Sequence, residues 1–258
     1  MNHFRSRTLV RDFLIAAAII AQSTGVTVPG SITFHEDAAT PVAFRTRPPD
    51  KPSQIRVILA RPNDGELLAK VNVGLLPFET LPGATVGDDG RFTIEGLTPG
   101  TYFVHAAFVV QPWKLSSAIY DGRDIAESGL TVVDGRVTPG DLKLSFSDRP
   151  PTILGEVQLA DGRPATSCSV VIFPQNQVLR AVAGSRLRIT SCRPDGKYTM
   201  PDLLPGHYFL AATVDMLAGR LQLMSEENMA YLEQISRSAL KIAPADGQRL
   251  LQNLVVSK

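Results

Sequence analysis

The sequence contains little that points to a chemistry. Its 26 Lys and Arg residues against 25 Asp and Glu residues leave a net charge of +1, so no concentrated basic surface for nucleic acid is expected. No apolar run approaches the roughly 18 residues that a transmembrane helix needs. The four histidines form neither an H-E-x-x-H nor an H-x-x-E-H arrangement, and no G-x-S-x-G elbow or phosphate-binding glycine loop occurs. We therefore expect no enzyme, no cofactor and no metal site.

Cysteine is scarce as well, and the two residues present allow two interpretations. Cys168 and Cys192 both lie in the C-terminal half of the chain. In an oxidising compartment they would form a disulfide between strands, whereas in the cytosol they would stay free. With 44% hydrophobic and 20% charged residues, the chain does not need a disulfide or a metal to fold.

The feature that is present in abundance is repetition. Residues 89–106 recur as residues 195–212, at a constant offset of 106 positions, with Asp, Gly, Thr, Leu, Pro, Gly, Tyr, Phe and Ala in register. A match of this length predicts a tandem repeat. Asp89-Gly90 and Pro99-Gly100 are turn sequences, and apolar residues alternate with polar ones between and after them. The pattern predicts a β-hairpin in each copy.

The remaining segments are assigned around the two copies. Residues 1–24, with arginines before the apolar run Phe13–Ala21, have the order of a secretory signal; the alternative is the remnant of an upstream domain. Residues 25–52 are expected to be an extended segment and linker. The first β-sandwich is predicted over 53–148, and the second over 149–258. The second includes one helix at about 225–240, capped by Ser225, that covers an open edge or end of the sandwich.

The repeated pattern D-G-x-[FY]-x-[ILM]-x-x-L-x-P-G-x-Y resembles the carboxypeptidase regulatory-like domain. That domain belongs to the CnaB-like and transthyretin-like (prealbumin-like) β-sandwiches, which are also grouped as a carbohydrate-binding-like fold. The resemblance covers roughly residues 53–258. It implies an all-β chain of two tandem antiparallel sandwiches. It also implies an extracytoplasmic location, whether periplasmic, secreted or on the cell surface.

One stretch outside the repeat could bind a ligand. Trp113, Tyr120, Arg123 and Asp124 follow the first copy, and exposed aromatic rings beside polar groups are suited to stacking on sugars. The alternative is that the rings seal the end of a sandwich as core. His105 is expected to face solvent, since it alternates with core positions. The first hypothesis is therefore a non-catalytic module that binds polysaccharide or another cell-surface polymer. The alternative is a structural spacer, a domain that binds another protein in a surface assembly, or a domain accessory to a peptidase.

Overall fold

The computed structural model describes residues 25–36, 48, 52, 55–61, 83–107, 109, 112–182, 186–214 and 226–256. These residues form seventeen β-strands and two short helices, so the predicted all-β fold class is confirmed. Only one helix was expected; the additional one lies between two strands of the second sandwich. Within the described ranges, neither helix is long and apolar enough to cross a membrane.

The first sandwich is built from nine strands. They are β1 (Val26–His35), β2 (Arg56–Ala60), β3 (Gly83–Thr85), β4 (Arg91–Leu97), β5 (Gly100–Ala107), β6 (Lys114–Tyr120), β7 (Arg123–Asp124), β8 (Leu130–Val132) and β9 (Leu142–Ser147). One sheet has the order β4-β1-β9-β6-β7, and the other has the order β3-β2-β5-β8. The apolar faces of both sheets contribute to one core cluster between them.

Strand β1 is a central strand of this sandwich. It pairs antiparallel with β4 and parallel with β9. The prediction that residues 25–52 lie outside the first sandwich is therefore wrong for β1. The cause is visible in the sequence, because Pro29 and Gly30 interrupt the alternation that would mark a strand. Gly30 is required by packing: a Cβ there would lie 2.3 Å from Cζ of Phe92.

The second sandwich follows directly. Its elements are β10 (Thr152–Gln158), β11 (Ser169–Pro174), α1 (Gln177–Val182), β12 (Arg188–Ser191), β13 (Lys197–Met200), β14 (Tyr208–Thr213), α2 (Glu226–Ser236), β15 (Leu240–Ile242), β16 (Arg249–Leu251) and β17 (Leu254–Val255). One sheet has the order β13-β10-β16, with β17 also paired to β10, and the other has the order β12-β11-β14-β15.

The two sandwiches share one topology. Strand β10 pairs antiparallel with β13 and parallel with β16 and β17, as β1 pairs with β4 and β9. Gly155 lies opposite Tyr198, as Gly30 lies opposite Phe92. The main difference is that β6 and β7 have no counterpart among the described strands of the second sandwich. Helix α2 occurs at that point in the chain order.

The repeated motif is not the hairpin that the sequence predicts. Strand β4 pairs with β1 in one sheet, whereas β5 pairs with β2 and β8 in the other. Strands β13 and β14 are likewise divided between the two sheets. Each copy is therefore a corner that carries the chain from one sheet to the facing one. A hairpin and a corner bury the same alternating positions, so the apolar pattern does not distinguish them.

A tyrosine closes each corner. The Tyr102 hydroxyl donates to the carbonyl of Thr98 at 2.9 Å and accepts from the amide of Thr98 at 3.1 Å. The Tyr208 hydroxyl donates to the carbonyl of Leu204 at 2.9 Å. This is the tyrosine corner of Greek-key sandwiches, in which the hydroxyl bonds to backbone a few residues upstream. The recurring L-x-P-G-x-Y pattern thus encodes an inter-sheet crossing.

Helix α2 covers the outer face of a sheet rather than the predicted edge or end. Its buried residues Leu232 and Ile235 pack on Val171, Phe173 and Ala211, which point away from the core between the sheets. The helix was predicted at about 225–240, and its existence is confirmed. Its expected cap, Ser225, lies outside the described residues.

A buried arginine connects both helices to this sheet. Arg180 of α1 is 2% exposed, and its guanidinium lies over the ring of Phe173. Its Nε donates to the carbonyl of Pro174 at 2.8 Å, and its Nη1 donates to Glu233 of α2 at 2.9 Å. Because its donors find partners, the buried charge is compensated.

Candidate functional site

The predicted aromatic patch does not lie at the surface. Trp113 is 1% exposed and packs edge-on against Phe34, with the ring centroids 5.1 Å apart. Tyr120 is 5% exposed, and its hydroxyl donates to the carbonyl of Thr138 at 2.6 Å. Neither ring face can be reached by a sugar. The interpretation of these two residues as a ligand-binding surface is wrong, and they are part of the first core.

Arg123 and Asp124 are exposed on β7, but the structure gives Asp124 a local role. Its Oδ1 accepts from the amide of Ala126 at 2.9 Å and from the amide of Ala118 at 3.4 Å. The carboxylate therefore stabilises the turn that follows β7. The four predicted site residues do not converge, since two face the core and two lie on an exposed edge strand.

The two cysteines do lie together. The Cα atoms of Cys168 and Cys192 are 5.2 Å apart, which is within the range of disulfides. The amide of Cys192 also donates to the carbonyl of Cys168 at 2.9 Å. They stand beside the paired strands β11 and β12, so the geometry fits the predicted inter-strand disulfide.

His105 is not the solvent-facing residue that the sequence predicts. It lies on β5 opposite Ile58, which is completely buried. Burial lowers the pKa of the His105 imidazole. The prediction failed because both faces of the neighbouring strand β2 are buried, so polar alternation along β5 does not mark a solvent face.

The polar side chains that the structure does bring together lie where the two sandwiches meet. Glu127, in the turn after β7, reaches the corner of the second sandwich. One carboxylate oxygen accepts from the backbone amide of His207 at 2.7 Å. The other lies 2.7 Å from Nδ1 of the same histidine. We call this arrangement, together with Arg186 and Asn176, the Glu127 junction.

Arg186 is a buried side chain that contacts the same turn. It is 6% exposed, and its Nη2 donates to the carbonyl of Ala126 at 3.2 Å. Its Nη1 donates to the carbonyl of Pro205 at 3.1 Å and to the hydroxyl of Tyr208 at 3.2 Å. The Nη1 atom is also 4.0 Å from the carboxylate of Glu127. One guanidinium thus connects the first sandwich to the tyrosine corner of the second.

Two further contacts extend the junction. Asn176, just before α1, donates from its side-chain amide to the carbonyl of Glu127 at 2.9 Å. Leu204, in the corner of the second sandwich, packs against the core cluster of the first. The junction therefore combines apolar packing with hydrogen bonds to backbone and carboxylate groups. Gly206 is fixed by the same approach, because a Cβ there would lie 2.6 Å from the Glu127 carboxylate.

Burial shifts the titration of two groups at the junction. It raises the pKa of the Tyr208 hydroxyl, an effect that the neighbouring Arg186 opposes. Tyr208 therefore stays protonated and can keep donating to the carbonyl of Leu204. Burial also lowers the pKa of Lys114 on β6; Asp202 of the second sandwich opposes this shift, and Arg188 of the same sandwich adds to it.

The contacts of the Glu127 junction hold the two sandwiches together. A histidine beside a carboxylate can act as a base only when a nucleophile or substrate group lies within reach. The hydrogen bonds of the Glu127 junction join side chains to each other, to backbone groups and to the tyrosine hydroxyl, and include no serine, threonine or cysteine side chain. Across the described residues, no group of three or more His, Cys, Asp or Glu side chains could hold a metal ion.

Sequence reasoning did not find this junction. No motif in the sequence connects Glu127 with His207. The repeat contains a signal that could have found it. Within the corner the copies differ at two positions, where Thr98 and Thr101 of the first copy are Leu204 and His207 of the second. Both of these second-copy residues contact the first sandwich.

Comparison with known proteins gives distant similarities only. No family model matches the chain, and no curated protein matches it significantly. Among solved structures, the shaft pilin SpaA of Lactobacillus rhamnosus GG aligns over 92% of this chain and 99% of its own, at 11% identity and a TM-score of 0.28. The minor pilin GBS52 of Streptococcus agalactiae aligns over 88% and 94%, at 13% identity and a TM-score of 0.35. A streptococcal ancillary pilin aligns over 89% and 68%, at 10% identity and a TM-score of 0.26. TM-scores this low carry no argument about this chain.

Proposed function

We propose that this chain is a non-catalytic structural module of an extracytoplasmic assembly, in which two β-sandwiches are held in one fixed relation. The Glu127 junction carries the proposal. A carboxylate of the first sandwich accepts from the second at 2.7 Å, and the buried Arg186 spans both units. A spacer or a protein-interaction module needs this rigidity, because two sandwiches joined by a flexible link would not hold their partners at a fixed distance and orientation.

The burial of Trp113 and Tyr120 favours this function over carbohydrate binding. Sugar-binding surfaces need an aromatic face that solvent can reach, and these two rings are 1% and 5% exposed. The four residues proposed to bind sugar therefore provide no stacking platform. Another surface protein is the partner class that the proposal retains, and polysaccharide is the alternative to be tested.

The location outside the cytoplasm is supported by the cysteine pair. Disulfides persist in oxidising compartments and are rare in the cytosol, and Cys168 and Cys192 have the spacing of a disulfide. Membership of the carboxypeptidase regulatory-like domains is part of the proposal too. It is supported by the repeated motif and by the identical strand pairing of the two sandwiches.

Small-angle X-ray scattering tests the fixed relation of the two sandwiches. We expect the wild-type profile to fit one rigid arrangement. We expect Glu127→Ala to give a larger radius of gyration and a profile that needs several arrangements. Glu95→Ala, at an exposed position of β4, is the matched control and should leave the profile unchanged. A wild-type profile that already requires many arrangements would rule out the spacer function.

A glycan array tests the alternative. We expect no binding by the wild-type protein. Reproducible binding of one glycan class would favour the carbohydrate-binding hypothesis and would place its site outside the buried Trp113–Tyr120 region.

A further inference from the structure

The duplicated topology reveals an incomplete sheet edge in the second sandwich. In the first sandwich, β6 pairs antiparallel with β9 and continues the sheet outward. In the second, β16 and β17 take the place of β9 beside β10. Among the described strands, none pairs with β16 or β17 on the side away from β10. We call this the β16–β17 edge.

The core is less well covered at this edge than in the first sandwich. The three core-facing residues of β9, which are Leu142, Leu144 and Phe146, are all 0% exposed. Because Gly155 corresponds to Gly30, their counterparts along the β16–β17 edge are Gln252, Leu254 and Val256. Leu254 is 8% exposed, and the other two are only partly buried. The positions that β6 covers in one copy are thus less completely buried in the other.

The outward side of the same edge is apolar and exposed. Leu251 is 67% exposed and Val255 is 60% exposed. Proteins usually protect free sheet edges with charged residues, and both edges of the corresponding sheet in the first sandwich follow that rule. Edge strand β4 carries Arg91 and Glu95, and edge strand β7 consists of Arg123 and Asp124. The β16–β17 edge has a charge only at its first residue, Arg249.

We propose that the β16–β17 edge pairs antiparallel with the same edge of a second copy of this chain, forming a two-fold symmetric dimer with a continuous sheet across it. The apolar positions are self-complementary, as a two-fold interface requires. Leu251 and Val255 are equally spaced about Asn253 in the sequence. A two-fold axis at Asn253 places Leu251 of each copy opposite Val255 of the other, so the same apolar contact forms on both sides of the axis. The antiparallel direction is the one that β6 and β9 adopt in the first sandwich.

The charges of the segment are compatible with this register. Arg249 is the only charged residue between positions 249 and 256. Within this segment no two like charges therefore lie opposite each other, whereas like charges directly opposite would destabilise paired strands. The charges of the segment therefore do not oppose its pairing with the same segment of a second copy.

Sedimentation equilibrium of the full-length protein over a range of concentrations tests the proposal. We expect the wild type to dimerise reversibly. Leu251→Lys and Val255→Lys should each weaken dimerisation roughly tenfold or more, because each places a lysine within the apolar contact of both copies. Both side chains are exposed in the monomer, so the variants should fold normally, as far-UV circular dichroism would verify.

Val133→Lys is the matched control. Val133 is also exposed, at 61%, but it lies in the first sandwich, so its substitution should not change the association. Hydrogen exchange should also show that amides of residues 249–256 become protected as the protein concentration rises. A wild type that stays monomeric throughout would overturn the proposal. A dimer that both lysine variants leave intact would overturn it equally, since its interface would lie elsewhere.

Discussion

At the scale of single residues, the surroundings of the Asp246 carboxyl group disfavour its ionised form. Asp246 is an exposed residue, but partial burial of its carboxyl group raises the pKa and the neighbouring Asp148 raises it further, while Ser147, Arg149 and His35 oppose both effects. Because the folded protein holds this proton more tightly than the unfolded chain, Asp246 favours folding below the ordinary pKa of 3.8. That contribution is lost as the pH rises through the folded pKa.

We therefore expect Asp246→Asn to raise the melting temperature near neutral pH, because the amide stays uncharged. The gain should disappear well below pH 3.8, where the aspartic acid is protonated in both states. Thermal unfolding followed by circular dichroism at several pH values measures this. Glu95→Gln, at an exposed site on β4, should shift the melting temperature little at any pH. A variant that is less stable than wild type at neutral pH would contradict the assignment.

The cysteine pair makes a second prediction at this scale. If Cys168 and Cys192 form a disulfide, the native protein should react with no thiol reagent when denatured without reductant. The bridge spans 24 residues, so reduction should lower the free energy of unfolding by about 3 kcal/mol in the chain-entropy model. Cys168→Ala/Cys192→Ala should reproduce the loss, and reductant should then have no further effect. Two reactive thiols in protein purified from an oxidising compartment would contradict it.

At the scale of elements, the two tyrosine corners decide how each sandwich closes. The Tyr102 hydroxyl makes two hydrogen bonds to the backbone of Thr98, and its ring is fully buried. Since a corner has no ladder of paired strands to hold it, these bonds substitute for the missing pairing. The corner should therefore depend on one hydroxyl group more than a hairpin would.

We expect Tyr102→Phe to lower the free energy of unfolding by about 1–3 kcal/mol, because both backbone groups of Thr98 lose a buried partner. Urea unfolding provides the measurement. Tyr120→Phe is the control, since its hydroxyl makes one bond, to Thr138, and a smaller loss is expected. Equal losses in the two variants would mean that the Tyr102 hydroxyl contributes no more to stability than the hydroxyl of another buried tyrosine.

The same corners indicate what the sequence could and could not predict. Alternation correctly predicted the buried positions of β4, because burial of one face has a period of two whatever the strand pairs with. It failed on β5, where Phe103 is buried on the face that was expected to meet solvent. Pairing depends on distant segments, so the sequence suggested a hairpin where Leu97 begins a crossing. The Glu127 junction depends on how two folded units meet, which no local pattern encodes. Trp113 was ambiguous for the same reason, since a tryptophan beside polar residues fits both a surface and a sealed end.

At the scale of the whole molecule, the two sandwiches differ in the segment that follows the second strand of the repeat. In the first, that segment forms β6 and β7 and ends in the turn that carries Glu127. In the second, α2 occupies this part of the chain and packs on an outer face. The segment after β5 thus both completes the first sheet and supplies the carboxylate that meets the second sandwich. Among the described residues of the second sandwich, no strand pairs with the free side of the β16–β17 edge.

If the Glu127 junction couples the two sandwiches, removing the side chain of Glu127 should lower the free energy of unfolding less when the side chain of His207 is already absent, and the reverse should also hold. A double-mutant cycle with Glu127→Ala and His207→Ala isolates this interaction in urea unfolding. The Glu127 side chain is 29% exposed and that of His207 is 66% exposed, so solvent screens the pair and we expect a coupling of about 0.5–1.5 kcal/mol. The backbone bond from His207 to Glu127 survives in His207→Ala, which keeps the measured value below the full contribution of the junction. Asp195 and Lys197 form an exposed pair within the second sandwich, and their cycle should give a coupling near zero. If the two cycles gave the same value, Glu127 and His207 would be an ordinary surface pair. The contacts of Arg186, Asn176 and Leu204 would then have to hold the two sandwiches in place.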